Sequence, residues 1–220
     1  MKYYPIFLDV KDRVCLVVGG GEVGARKALG LERAGARVRV VSREFSHGLE
    51  AGVNKRIQLQ CRAYEKSDLD NIFLVFAATN NAKLNQMIKK DAEKENILCN
   101  IADAPGQSDF ILPSIVERGD LVCAVSTSGS SPALAKKIRK DLESMFGPEY
   151  SVLLTLMGNI RKKLLEQGHD PSGHKKIFKI LIEKNLPALI AAGDETSLDS
   201  ILIELLGRGY SYNRLVSQEQ

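Results

Sequence analysis

The sequence predicts an α/β protein in three parts: a parallel-sheet domain with crossover helices, a β-hairpin followed by one helix, and an all-helical C-terminal region. Three observations predict it. Over residues 1–101, short valine-rich apolar runs alternate with helical segments, the rhythm of parallel strands joined by right-handed crossovers. Near residue 110 that rhythm breaks, and two apolar runs are separated only by Glu117-Arg118-Gly119-Asp120. From residue 149 onward only helical periodicities occur.

The elements follow in order. Arg13 to Val18 is a short buried-type strand that runs into glycines. Glu22 to Ala34 has no proline and keeps Val23, Ala28, Leu31 and Ala34 roughly on one face, with Gly35 at the C-terminal glycine position. Strands are expected at 37–42, 56–61, 72–77 and 97–101, and an amphipathic helix at 82–95. The hairpin pairs Phe110–Val116 with Leu121–Ser126. Ser131-Pro132 then supplies an N-cap and a first-turn proline for a helix over 133–145, closed by Gly147-Pro148. Helices over 149–167, 171–184 and 197–206 complete the chain, broken at Gly168-His169-Asp170 and Gly193-Asp194. The parts are thus 1–112, 113–148 and 149–220.

Composition excludes several classes. A net charge of +4, spread along 220 residues, makes no basic arm, so nucleic acid is not expected as a partner. The longest uncharged run, Leu121 to Ala135, is rich in serine and glycine at its centre, and no membrane span is expected. The N-terminus lacks a signal-peptide pattern. Cys15, Cys61, Cys99 and Cys123 are scattered without a C-x-x-C, and three of them sit inside apolar strand-like runs, where they read as small buried hydrophobes of a reduced, cytoplasmic protein.

Gly19-Gly20-Gly21-Glu22-Val23-Gly24 matches G-x-G-x-x-G between the first strand and first helix, the position of a Rossmann-type dinucleotide turn. The first glycine allows the tight turn, the second lets backbone approach a pyrophosphate, and the third packs the helix closely. Glu22 and Val23 open the helix whose free N–H groups face the phosphates. An acid is expected to end the second strand and hold the ribose, but Ser42-Arg43-Glu44 stands there. Glu44 meets that need one or two positions late, whereas Arg43 suits a 2′-phosphate, so NAD and NADP both remain open. Thr79 and Asn80, just past the fourth strand, are further cofactor contacts by position; the plain alternative is a turn capping the next helix.

Asn100-Ile101-Ala102-Asp103-Ala104-Pro105 ends the fifth strand on the same sheet edge. Asp103 is therefore the candidate proton acceptor, by position and by elimination, although an isolated Asp there also reads as an ordinary turn residue. His47 lies in a polar loop, and His169 and His174 lack the spacing of a metal pair. Ser126, Thr127 and Ser128 join a strand to a helix N-terminus, an arrangement that suits an anionic ligand as well as it suits simple capping.

Six stretches carry a resemblance to a known family: Pro5–Leu8, Val17–Lys27, Ala77–Asn80, Cys99–Ala104, Phe110–Ser114 and Ala124–Pro132. In this order they resemble the precorrin-2 dehydrogenases of sirohaem synthesis, which also form the N-terminal module of sirohaem synthases. The match covers residues 1 to about 145, and the helical tail is similar only in kind. The resemblance implies NAD-dependent oxidation of precorrin-2 to sirohydrochlorin and a homodimer built by the hairpin-plus-helix segment. It implies that Asp103 is the essential acid/base and that the Ser126–Ser128 loop faces a polycarboxylate substrate. It further implies that some relatives insert ferrous iron with the same aspartate; no other metal ligand is expected. No methyltransferase-like second half is read before Gln220. Two other classes stay open: a dinucleotide-sensing module without turnover, and a chelatase without dehydrogenase activity.

Overall fold

A computed structural model describes residues 2–168 and 171–217, with the side chains of 171–173 also left aside. It divides into two units, Met1–Leu112 and Pro113–Gln220. His169 lies outside the described residues.

The first unit is a five-stranded, all-parallel sheet in the order β3-β2-β1-β4-β5. The strands are β1 (Val14–Val18), β2 (Arg37–Ser42), β3 (Ile57–Cys61), β4 (Leu74–Ala77) and β5 (Leu98–Ile101). All five stand where the apolar runs predict them, within two residues. Alternation within β1 sorts the two faces of the core. Cys15 and Val17 join Ala25 and Ala28 of helix α1 (Glu22–Arg33) and Leu49 of α2 (His47–Ala51). Leu16 and Val18 join Ile88 and Ala92 of α3 (Ala82–Lys94) on the other face. A strand covered on both sides must be apolar at every position, which is why β1 reads as an unbroken run. His47 is corrected: it opens α2 rather than lying in a loop, though it remains exposed.

One buried charge holds the β3–β4 connection. Asp68 is 2% exposed, and it accepts bonds from Arg62 Nη1 (2.8 Å) and the Glu65 N–H (2.9 Å), while Arg62 Nη2 pairs with its other oxygen. Burial raises its pKa, but the Arg62 bond and the Glu65 N–H outweigh it and hold the carboxyl below its ordinary value of 3.8. A depressed folded-state pKa contributes stability above the ordinary value, lost as pH falls through the folded one. Asp68→Asn is therefore expected to cost about 2 kcal/mol at neutral pH. Urea unfolding should show that difference shrinking as pH falls below 3.8.

The second unit starts with an antiparallel hairpin, β6 (Ser114–Arg118) and β7 (Leu121–Val125). Its first strand is later than the apolar run suggests. Glu117 and Arg118 pair with Val122 and Leu121, so only Gly119-Asp120 turns, with Gly119 at φ +58°. Phe110 instead belongs to the first unit, its carbonyl accepting from Asn100 Nδ2 at 2.8 Å. Helix α4 (Pro132–Met145) is capped by the Ser131 hydroxyl, which accepts from the Leu134 N–H. The rest is helical: α5 (Glu149–Glu166), α6 (Pro171–Glu183), α7 (Leu186–Ala192), α8 (Glu195–Leu206) and α9 (Tyr212–Val216). Leu156, Ile160 and Leu164 of α5 form a fully buried stripe against Leu181, Leu198, Leu202 and Leu215. Helices α7 and α9 are additions to the sequence expectation, α7 being set off from α6 by Asn185 at φ +53°. Among the described residues no helix is long and apolar enough to cross a membrane.

Candidate active site

The carboxyl edge of the sheet carries the candidate residues of the first unit. The chain leaves β1 for β2 on one side and later returns to β4 on the other, which makes the β1/β4 boundary the topological switch point where ligands of such sheets bind. Gly19 follows β1 there with φ +117°, its N–H donating to the Val41 carbonyl at 2.9 Å. A Cβ at Gly19 would stand 2.3 Å from the Ala78 carbonyl oxygen, so the turn after β1 presses directly against the loop after β4. A Cβ at Gly24 would stand 1.9 Å from the Gly19 oxygen, with Val17 at 3.6 Å. The closest approach of α1 is thus to the turn itself, and the strand lies behind.

Gly21 differs from both. It is the N-cap of α1, offers no side-chain cap, and a Cβ there would meet nothing within 4 Å. The open space above Gly21 and the uncapped N–H groups of Glu22 and Val23 fit a dinucleotide pyrophosphate. Gly20, which the motif leaves free, proves equally constrained: a Cβ would lie 2.2 Å from the Glu44 oxygen and 3.0 Å from the Ser42 Cβ. Ser42 ends β2 beneath this turn, and Arg43 and Glu44 are exposed beside it.

After β4, Thr79 is half-buried and Asn80 exposed. Sequence reasoning missed what fixes them. Asn85, 1% exposed on α3, accepts from Thr79 Oγ1 (2.6 Å) and the Thr79 N–H (3.2 Å), and donates to the Thr79 carbonyl (2.9 Å). Its signal was a polar residue on the apolar face of a predicted helix. Asn81 caps α3 by accepting from the Leu84 N–H.

Asp103 is exposed on the turn after β5 and makes no ion pair or hydrogen bond among the described residues. That turn is braced on both sides. The Ala102 N–H donates to the Ala77 carbonyl at 3.0 Å, tying it to β4. Ser108 Oγ accepts from the Ile101 N–H at 2.9 Å and bonds the Ala104 carbonyl at 3.1 Å. Asp109 accepts from the Cys99 N–H at 2.8 Å and pairs with Lys89, and Asn100 holds Phe110. These groups also satisfy the free edge of β5, which would otherwise present unpaired backbone. Burial pushes the Cys15 thiol up to about 11 and the Cys99 thiol up to about 12, which disfavours the thiolate form of both.

Ser126, Thr127 and Ser128 belong to the second unit. Two of their hydroxyls close their own loop: Ser126 Oγ accepts from the Ser128 N–H and Thr127 Oγ1 from the Ser131 N–H, both at 3.1 Å. Ser128 takes φ +53°. Among the described residues no three His, Cys, Asp or Glu side chains gather to hold a metal ion.

Residues 6–114 match the model of a putative NAD(P)-binding family, and residues 118–145 match that of the sirohaem biosynthesis protein central region. The chain is 38% identical over 194 residues to a sirohaem synthase of Baumannia cicadellinicola subsp. Homalodisca coagulata, covering 88% of this chain and 42% of that protein. It is 35% identical over 206 residues to a sirohaem synthase of Photobacterium profundum, covering 93% and 44%. The chain therefore spans under half the length of the curated relatives it matches. Among solved structures it is similar to SirC, a precorrin-2 dehydrogenase, with a TM-score of 0.71 and 28% identity, covering 84% of this chain and 92% of that one.

Proposed function

Since the chain belongs to the family of precorrin-2 dehydrogenases and sirohaem synthase N-terminal modules, we propose that it oxidises precorrin-2 to sirohydrochlorin with NAD. One observation carries the proposal to this chain's own residues: an open dinucleotide turn at Gly21 and an exposed, braced carboxylate at Asp103 stand on one edge of one sheet.

When bound, NAD supplies the hydride acceptor. Gly19, Gly21 and Gly24 shape the turn that takes its pyrophosphate, with the N–H groups of Glu22 and Val23 facing the phosphates. Thr79 and Asn80 line the adjoining loop, and Ser42, Arg43 and Glu44 flank the ribose. Oxidation removes a hydride and a proton from adjoining atoms of the substrate and leaves a double bond. An Asp103 carboxylate oxygen takes that proton, and the Ser108 and Asn100 bonds keep its turn in place while it does so.

In the same reading residues 1–112 form the dinucleotide domain, 113–148 a dimerisation segment and 149–220 a helical domain. Support for a homodimer comes from Ile115, Val122, Leu134, Ile138 and Met145, all exposed apolar side chains of the hairpin and α4. In this reading Ser126, Thr127 and Ser128 contribute to binding substrate carboxylates, which is supported by the Ser128 hydroxyl making no hydrogen bond among the described residues. The test is anaerobic incubation with precorrin-2, with NAD added last. The sirohydrochlorin spectrum should develop only after that addition. Demonstrated NAD binding with no spectral change would favour a dinucleotide sensor instead.

A further inference from the structure

We propose that Lys27 is an anion-binding residue of the substrate site, set to receive one carboxylate of the polycarboxylate macrocycle. The assignment rests on the functional reading above.

Lys27 lies on α1 three residues after Gly24, the residue pressed against the glycine turn. Helical side chains lean toward the helix N-terminus, so its stem runs back toward the carboxyl edge of the sheet. The ammonium lies over the ring of Phe76, 5.7 Å from its centroid, and Phe110 meets the same ring edge-on at 5.5 Å. Phe76 pairs with Asn100 across β4 and β5, and Asn100 in turn holds the Phe110 carbonyl. Asp103 follows Asn100 by three residues. Lys27, two aromatic rings and the acid turn thus occupy one stretch of the sheet's α1 side and carboxyl edge.

Among the described residues no carboxylate or carbonyl lies within hydrogen-bond reach of the Lys27 ammonium. Lys89 is treated differently: it is 11% exposed and pairs with both Asp109 and Glu93. Burial pushes Lys27 below the ordinary lysine value, and neighbouring Arg26 adds repulsion. A half-buried charge without a counter-ion is costly, and attraction to a ring face offsets only part of that cost. A carboxylate arriving with a ligand would recover the remainder. Phe76 itself is buried, so the apolar surface left beside the ammonium for a macrocycle, whose acid groups project from the rim, is that of the half-buried Phe110.

The competing account is structural, with the lysine stem merely covering apolar surface while its head reaches water. Lys27→Met separates the two, because it keeps the stem and removes only the charge. The probe is sirohydrochlorin, titrated anaerobically and followed by absorbance, with NAD affinity and thermal midpoint measured alongside. Lys27→Met should be at least as stable as wild type, bind NAD unchanged, and bind sirohydrochlorin about tenfold to a hundredfold more weakly. Lys27→Arg, which keeps the charge, should bind clearly better than Lys27→Met. Equal sirohydrochlorin affinity in wild type and Lys27→Met would overturn the assignment alone, as would a parallel loss of NAD affinity. A wild type that binds NAD but no sirohydrochlorin would overturn the functional reading, and the assignment with it.

Discussion

Replacing Asp103 by alanine is expected to lower the rate of sirohydrochlorin formation by about 10²–10⁴, the scale on which a positioned general base contributes. NAD affinity and folding stability should stay close to wild type. The side chain is exposed and engages no partner among the described residues, so its removal breaks no contact of the fold. The loss should fall on kcat, since the group acts when the proton leaves and contributes little to holding the macrocycle. Single-turnover kinetics with saturating NAD would isolate that step. An unchanged rate would remove Asp103 from the mechanism while leaving the reaction in place.

The glycine turn yields the second large effect, through a contrast between two substitutions that a motif treats alike. Gly19→Ala places a methyl 2.3 Å from the Ala78 carbonyl at a backbone φ of +117°. Strain and overpacking together are expected to cost about 2–4 kcal/mol of stability. At Gly21 a Cβ meets nothing within 4 Å and the backbone is extended, with φ −73°. Gly21→Ala should therefore keep stability to within about 1 kcal/mol. It should weaken NAD binding by roughly tenfold or more, because the methyl occupies space the pyrophosphate needs. Denaturant unfolding and equilibrium dinucleotide binding check the pair. Equal effects on both quantities would mean that the turn is a folding element and not a cofactor cradle.

These residues also mark what could be read in advance. The central strands β1 and β4 were legible because each is buried on both faces and so is written as an unbroken apolar run, whereas β2 and β3 were legible through aliphatic residues alternating with Arg39 or with Gln58 and Gln60. The motif glycines were legible because backbone geometry dictates them locally. Gly20 was not, since its constraint comes from Glu44 and Ser42, more than twenty residues away. Asp103 was legible as a carboxylate at a strand end. Asn100, Ser108 and Asp109, which brace its turn, were not, because side-chain bonds across an irregular loop have no period. The first hairpin strand was misplaced for a related reason. Phe110-Ile111-Leu112 is as apolar as a strand, yet Phe110 packs on Phe76 in the first unit, and pairing begins only after Pro113. Helices α2, α7 and α9 have 5, 7 and 5 residues, too short for periodicity to register. The Ser126–Thr127 hydroxyls show the opposite limit: a loop that suggests a ligand also spends two of its hydroxyls on itself.

The central claim is that this chain couples oxidation of a reduced tetrapyrrole to reduction of NAD on one sheet edge. Its most direct test is the stoichiometry of the two products, with sirohydrochlorin and NADH quantified together in an anaerobic reaction of the wild-type protein. The account predicts one NADH for each sirohydrochlorin, with neither formed when precorrin-2 or NAD is omitted. Sirohydrochlorin accumulating without NADH, or neither product forming in protein shown to be folded and to bind NAD, would contradict it.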